Sequence, residues 1–145
     1  MTDCVYCSLP EFRARKIVEN DFAEAYPTNI PITPGHTLVI PKRHVQKYED
    51  LTPEEKFAIE DLRMKIAGAL KKLFHSEGFH FAWNESKVAG QSIPHFHLHI
   101  VPRKPGDEGI TQYEPRVFLY RPGSREKTEE AELQAVAAAI REAIG

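Results

Sequence analysis

The distribution of apolar positions along the chain predicts short strands, one long helix and a second helix at the end. Thr52-Pro53-Glu54-Glu55 offers an N-cap, a proline at the first helical position and a glutamate that closes a capping box. Ile59, Leu62, Ile66, Ala69, Leu70 and Leu73 follow at spacings of three and four, the apolar stripe of one long helix. Gly78 is expected to mark its exit. A second helix is predicted from Thr128, with Leu133, Val136, Ala137, Ile140 and Ile144 inward. Upstream, the stretch from Phe12 starts as a helix or turn and runs into a strand over residues 16–19. Asn20-Asp21 reads as a turn and residues 22–26 as a strand. Pro27 to Gly35 is a proline-rich loop, and Thr37-Leu38-Val39-Ile40 is a β-type run ended by Pro41. After the long helix, residues 79–83 form a strand with Phe79, Phe81 and Trp83 on one face. A polar loop from Asn84 to Ser92 leads into a last strand over residues 94–101. The strands do not alternate with helices as a parallel βαβ repeat requires. The expected class is therefore α+β, an antiparallel sheet of about five strands with the long helix packed on it and a C-terminal helix.

Length and charge narrow the picture. The 145 residues fit a single domain over 1–145, and 41% hydrophobic with 28% charged residues is ordinary globular usage. A formal charge of −2 gives no electrostatic footing for a nucleic-acid duplex or an anionic membrane. No stretch approaches the 18 or so apolar residues of a membrane span, and the N-terminus lacks the pattern of a signal peptide. A cytoplasmic location is expected. Neither G-x-G-x-x-G nor G-x-x-x-x-G-K-[ST] is present, so two common phosphate cradles are excluded.

The candidate chemistry lies in Pro94-His95-Phe96-His97-Leu98-His99-Ile100-Val101, where histidine alternates strictly with apolar residues. On a strand, His95, His97 and His99 share one face, about 6.5–7 Å apart per step, and Phe96, Leu98 and Ile100 face the other way. Three readings compete: a polar face of satisfied histidines, a catalytic zinc site, and a histidine nucleophile whose neighbours handle protons and charge. Imidazole suits phosphoryl chemistry because it is neutral and nucleophilic near pH 7. Near the N-terminus, Cys4-Val5-Tyr6-Cys7 reads as a redox pair, an accidental pair of thiols, or half of a tetrahedral zinc site.

Gln91-Ser92-Ile93-Pro94-His95-Phe96-His97-Leu98-His99-Ile100-Val101-Pro102-Arg103 resembles the signature of the histidine triad family of nucleotide hydrolases and transferases. The likeness extends to the block from Pro34-Gly35-His36 through Pro41-Lys42-Arg43-His44, and to Asn84 and Ala89-Gly90-Gln91. The resemblance implies cleavage at the α-phosphate of a nucleoside phosphoramidate or dinucleoside polyphosphate. In that scheme His97 is the nucleophile, and His99 contacts the phosphate and assists the leaving group. Asn84, Gln91 and Ser92 bind phosphate oxygens, and Thr28 stands where the family contacts ribose. It also implies a homodimer, a small-molecule nucleotide as partner, no organic cofactor, and a structural zinc held by Cys4, Cys7, His44 and His95. Glu85 and Ser86 depart from the family pattern, Ser86 standing where glycine is usual. Two rivals remain at this point, a nucleotide-binding module with little turnover and a zinc hydrolase. His36 reads as a turn residue; His75, His80, Arg103, Lys104 and Arg121 read as local or solvated groups.

Overall fold

The computed structural model describes residues 4–107 and 127–145. Two short helices open the chain, α1 (Val5–Ser8) and α2 (Pro10–Ala14). Strands β1 (Val18–Glu19), β2 (Ala23–Pro27) and β3 (Thr37–Pro41) follow, then the 22-residue helix α3 (Pro53–Phe74). Strands β4 (Gly78–Ala82) and β5 (Leu98–Arg103) and the helix α4 (Glu130–Ile144) complete the described fold. The five strands form one antiparallel sheet in the order β1-β2-β3-β5-β4. This is the α+β arrangement the sequence predicts.

Both helices cover one face of the sheet. Ile59, Leu62, Ile66 and Leu70 of α3 and Ala137 and Ile140 of α4 bury against Ala23, Ala25, Val39, Leu98 and Ile100. Phe96 joins the same core, so the apolar half of the alternating segment lies under the helices as expected. Each fully buried leucine or isoleucine contributes about 1.5–3 kcal/mol by its apolar area. The opposite face carries a smaller cluster built from Cys4, Tyr6, Phe12, Tyr26, Leu38 and Ile40.

Local chemistry explains where the elements begin and end. Thr52 Oγ1 accepts the Glu55 N–H at 3.1 Å while Glu55 accepts the Thr52 N–H at 2.9 Å, the capping box read from the sequence. Helix α3 stops at Phe74 rather than running to Gly78, because His75 takes a left-handed conformation (φ 57°, ψ 37°). Ser76 then donates to the Leu70 carbonyl, and Gly78 opens β4. Strand β2 starts one residue later than expected, since the Asn20 side chain holds the N–H groups of Phe22 and Ala23 in a turn. Pro41 is the last residue of β3, as expected, and still pairs with Ala23 in the ladder. Between the strands, Gly35 (φ 95°) sits so close to α3 that a Cβ would lie 2.9 Å from Phe74 Cε2. This turn delivers His36 to the head of β3.

Glu55 also receives both arms of Arg43, at 2.8 and 2.9 Å, which ties the segment after β3 to the start of α3. The Arg43 hydrogen bonds hold the Glu55 carboxyl below the usual carboxylate range. A depressed folded-state pKa stabilises the fold above the ordinary glutamate value of about 4.3. That stability is lost as pH falls through the lower folded value. Glu55→Gln is expected to flatten this acid limb in denaturation midpoints measured between about pH 2.5 and 5; an unchanged limb would show that the pair contributes nothing.

Candidate active site and metal-binding cluster

The ladder begins at Leu98, not Pro94, so His95, at the end of a bend, and His97 precede β5 and only His99 is paired within it. The cause is tertiary. The His95 N–H closes a turn onto the Ile93 carbonyl, and the Phe96 N–H donates to the Val45 carbonyl at 2.6 Å. The alternation survives that change. His95, His97 and His99 are all buried, 1%, 5% and 6% exposed, on the sheet face away from the helices.

The backbone partners fix which nitrogen of each ring carries the proton. A carbonyl only accepts, so His97 Nδ1–H donates to the His95 carbonyl at 2.8 Å. Burial pushes the His97 pKa down, with the His95 carbonyl opposing it. The ring is thus neutral, and its Nε2 presents a lone pair. A second chain of bonds reaches His99. The Ile32 N–H donates to His36 Nδ1 at 3.0 Å, so His36 Nε2 carries hydrogen toward His99 Nδ1 at 2.9 Å. His99 Nε2 is then the donor end of its ring. The rings of His97 and His99 are 5.1 Å apart. A ring that offers a lone pair therefore neighbours a ring that carries an N–H. The sequence reading gave His36 only its turn; its block of the chain carried the signal, but the bond to His99 needs the β3–β5 pairing.

Beside this pair, Cys4, Cys7, His44 and His95 bring their ligand atoms within 4.8 Å of one another, a cluster that is able to hold a metal ion. His95 Nδ1 lies 3.4 Å from Cys4 Sγ and 3.5 Å from Cys7 Sγ, and His44 Nδ1 lies 3.4 Å from Cys7 Sγ. A tetrahedral ion with bonds of about 2.3 Å to sulfur and 2.0–2.1 Å to nitrogen has S···N edges of about 3.5 Å. His95 Nε2–H donates to the Pro41 carbonyl at 2.8 Å, which leaves Nδ1 unprotonated toward the cysteines. Burial lowers its pKa to about 4, so the ring stays neutral. The donor set fits zinc.

The loop from Asn84 to Ser92 borders the histidines. The β4–β5 ladder ends where Ala82 pairs with His99, and Asn84 follows two residues later in the loop. Gln91 is buried and braces the loop, accepting the Ser86 N–H at 2.9 Å and donating to the Gln46 carbonyl at 3.1 Å. Ser92 is exposed. Thr28 is buried at the end of β2, where its hydroxyl accepts the Ile30 N–H at 3.3 Å. Glu85 accepts the Tyr48 N–H and the Trp83 indole N–H, both at 3.1 Å, tying the loop to the segment after His44. Ser86 has φ 72° and ψ 158°, a region that is essentially glycine's. Of the remaining polar groups, Arg103 is held by Asp107, His80 lies 3.5 Å from Arg103, and His75 and Lys104 are exposed. Arg121 lies outside the described residues.

The model of the HIT domain matches residues 10–106, two-thirds of the chain. The chain belongs to the HIT-domain family. It is 36% identical over 111 residues to an uncharacterised HIT-like protein of Mycoplasma genitalium, covering 75% of this chain and 79% of that one. It is 42% identical over 77 residues to a bis(5'-adenosyl)-triphosphatase of Dictyostelium discoideum, covering 53% of this chain and 52% of the relative. Among solved structures, a zinc-bound histidine triad family protein of Mycobacterium smegmatis superposes with a TM-score of 0.74 at 29% identity, covering 99% and 94% of the two chains. Among the described helices of this HIT-domain chain, none is long and apolar enough to cross a membrane.

The backbone at Ser86 gives a physical reason for the glycine that is usual there. Holding a side chain in this region costs about 1–3 kcal/mol, of which the greater freedom of an unfolded glycine returns part. Ser86→Gly is therefore expected to raise stability by about 1 kcal/mol, read as a higher denaturant midpoint at constant slope. A lower midpoint would show that the hydroxyl, not the backbone, decides this position.

Proposed function

We propose that this HIT-domain chain cleaves nucleotides at the α-phosphate through a covalent intermediate on His97. The observation that carries the reading is the bond from His97 Nδ1–H to the His95 carbonyl, which leaves Nε2 as a lone pair on a neutral ring. That lone pair attacks the α-phosphorus. A P–N bond forms as the bond to the leaving group breaks, and the departing atom takes the electron pair. His99 Nε2–H, set by the relay from the Ile32 N–H through His36, donates the proton that the leaving group needs. Water then attacks the phosphorus and returns a proton to His99 Nε2, the P–N bond breaks with its electron pair going back to His97 Nε2, and the nucleoside monophosphate departs. Asn84 and Ser92 bind the non-bridging oxygens, Gln91 shapes the loop and offers its second N–H, and Thr28 contacts the ribose.

The reading names phosphoramidates and dinucleoside polyphosphates as the substrate class, and the bis(5'-adenosyl)-triphosphatase relative supports the second. The Cys4, Cys7, His44 and His95 cluster is assigned to zinc, with the zinc-bound relative in support. Four protein ligands would fill a tetrahedral zinc and leave no position for water, which supports a structural zinc over a zinc hydrolase. Among the described strands β4 stands at an edge of the sheet, and Phe81 within it and Trp83 just after it are 42% and 41% exposed, which supports a homodimer joined edge to edge. Incubation with an adenosine phosphoramidate and with a diadenosine polyphosphate tests the reading, with AMP release as the readout. Release from at least one substrate is expected. Nucleotide binding without release would assign the chain to a binding role instead.

A further inference from the structure

Tyr6 stands in α1 between Cys4 and Cys7, and no step above uses it. Its ring is buried and meets two histidines edge to face, His97 at 5.3 Å and 79° and His95 at 5.7 Å and 76°. Behind it the ring stacks on Phe12 at 4.7 Å, and Phe12 stacks on Tyr26 at 4.0 Å. Arg13 donates to the Tyr6 carbonyl at 3.1 Å and grips Glu24 of β2 with both arms, at 2.8 and 2.7 Å. The Tyr6 ring is therefore the end of a braced aromatic stack.

A single bond to the His95 carbonyl anchors Nδ1 of His97 but leaves the ring free to swing about it. An aromatic wall across the ring removes that freedom. Both restraints belong to the metal-binding cluster, since the carbonyl is that of His95 and the wall lies between the two cysteines. We infer that Tyr6 is a positioning residue for His97, and that closing the cysteine–histidine cluster around a metal ion presses this ring against the reactive imidazole. The inference rests on the reading of His97 as the nucleophile. Misplacing a reacting atom by about 1 Å costs on the order of a hundredfold in rate.

Two variants and one spectrum test it. Tyr6→Phe keeps the wall and is expected to hold kcat within about threefold. Tyr6→Leu is expected to lower kcat by a factor of ten to a hundred, with KM within about threefold and one zinc still bound per chain. In nitrogen-15 spectra of the imidazoles, the zinc-loaded protein gives His97 one tautomer, with Nδ1 protonated. The Tyr6→Leu protein and the chelated unmutated protein give averaged His97 signals. An unshifted kcat in Tyr6→Leu, or a His97 signal indifferent to zinc, would overturn the inference. So would chelation that unfolds the chain outright, because the metal would then act on folding alone. If the unmutated protein turns over no nucleotide, the nucleophile reading fails while the spectra still decide whether Tyr6 and the metal hold His97.

Discussion

His97→Ala is expected to reduce release of the nucleoside monophosphate by about a thousandfold or more while nucleotide affinity stays within about threefold. The substitution removes the only protein atom in the scheme that bonds to phosphorus, so direct attack by water is left to donors arranged for a different geometry. A thousandfold loss corresponds to about 4 kcal/mol of transition-state stabilisation. His97→Gln separates chemistry from packing. Its amide can still donate to the His95 carbonyl that now receives His97 Nδ1–H, but it offers no nucleophilic nitrogen. Both variants are expected to fall together in kcat. A glutamine variant with turnover near that of the unmutated protein would show that position 97 works by shape alone.

The second large effect is on stability. Cys4→Ser is expected to abolish stoichiometric zinc binding and to lower the melting temperature by roughly 10–20 °C. The cluster joins residues 4 and 7 to residues 44 and 95, so it closes long loops of the unfolded chain much as a covalent bridge does. Closure of a loop near 100 residues is worth about 4–5 kcal/mol in the chain-entropy account, and each kcal/mol moves the melting point by a few degrees in a domain of this size. The sheet and helices have their own core, so the variant is expected to melt lower rather than fail to fold. Chelation of the unmutated protein is expected to act slowly, at the rate at which the cluster opens. Thermal unfolding with and without a chelator checks both statements. Equal melting points for the variant and the unmutated protein would remove the cluster from the stability account.

The parts of this molecule that local patterning controls were legible in the sequence. The capping box at Thr52 and Glu55 and the stripe from Ile59 to Leu70 specify α3 because both signals repeat within a turn or two. The alternation through His95, His97 and His99 specified which residues share a face, since the side-chain period of extended chain does not depend on ladder pairing. The start of the ladder did depend on it. Phe96 bonds to Val45, 51 positions away along the chain, and nothing between residues 94 and 98 encodes that partner. The same limit hid the place of His36 beside the histidine segment, since its bond to His99 spans 63 positions. Glu85 is the clearest case, a departure from the family pattern that closes a bond to the Tyr48 backbone rather than opening the loop. Cys4, Cys7, His44 and His95 came from resemblance as a set, and the structure brings all four together in a cluster able to hold a metal ion.

A rapid-quench experiment decides whether a nucleotidyl group passes through His97 on its way to water. The protein is mixed with a diadenosine polyphosphate, quenched in base at successive times, and read by intact mass and peptide mapping. Passage through His97 gives a nucleoside monophosphoryl adduct on that residue that forms with release of the first product, decays as AMP accumulates, and is absent from His97→Ala. Turnover with no adduct on His97 at any time, retained in His97→Ala, would contradict it.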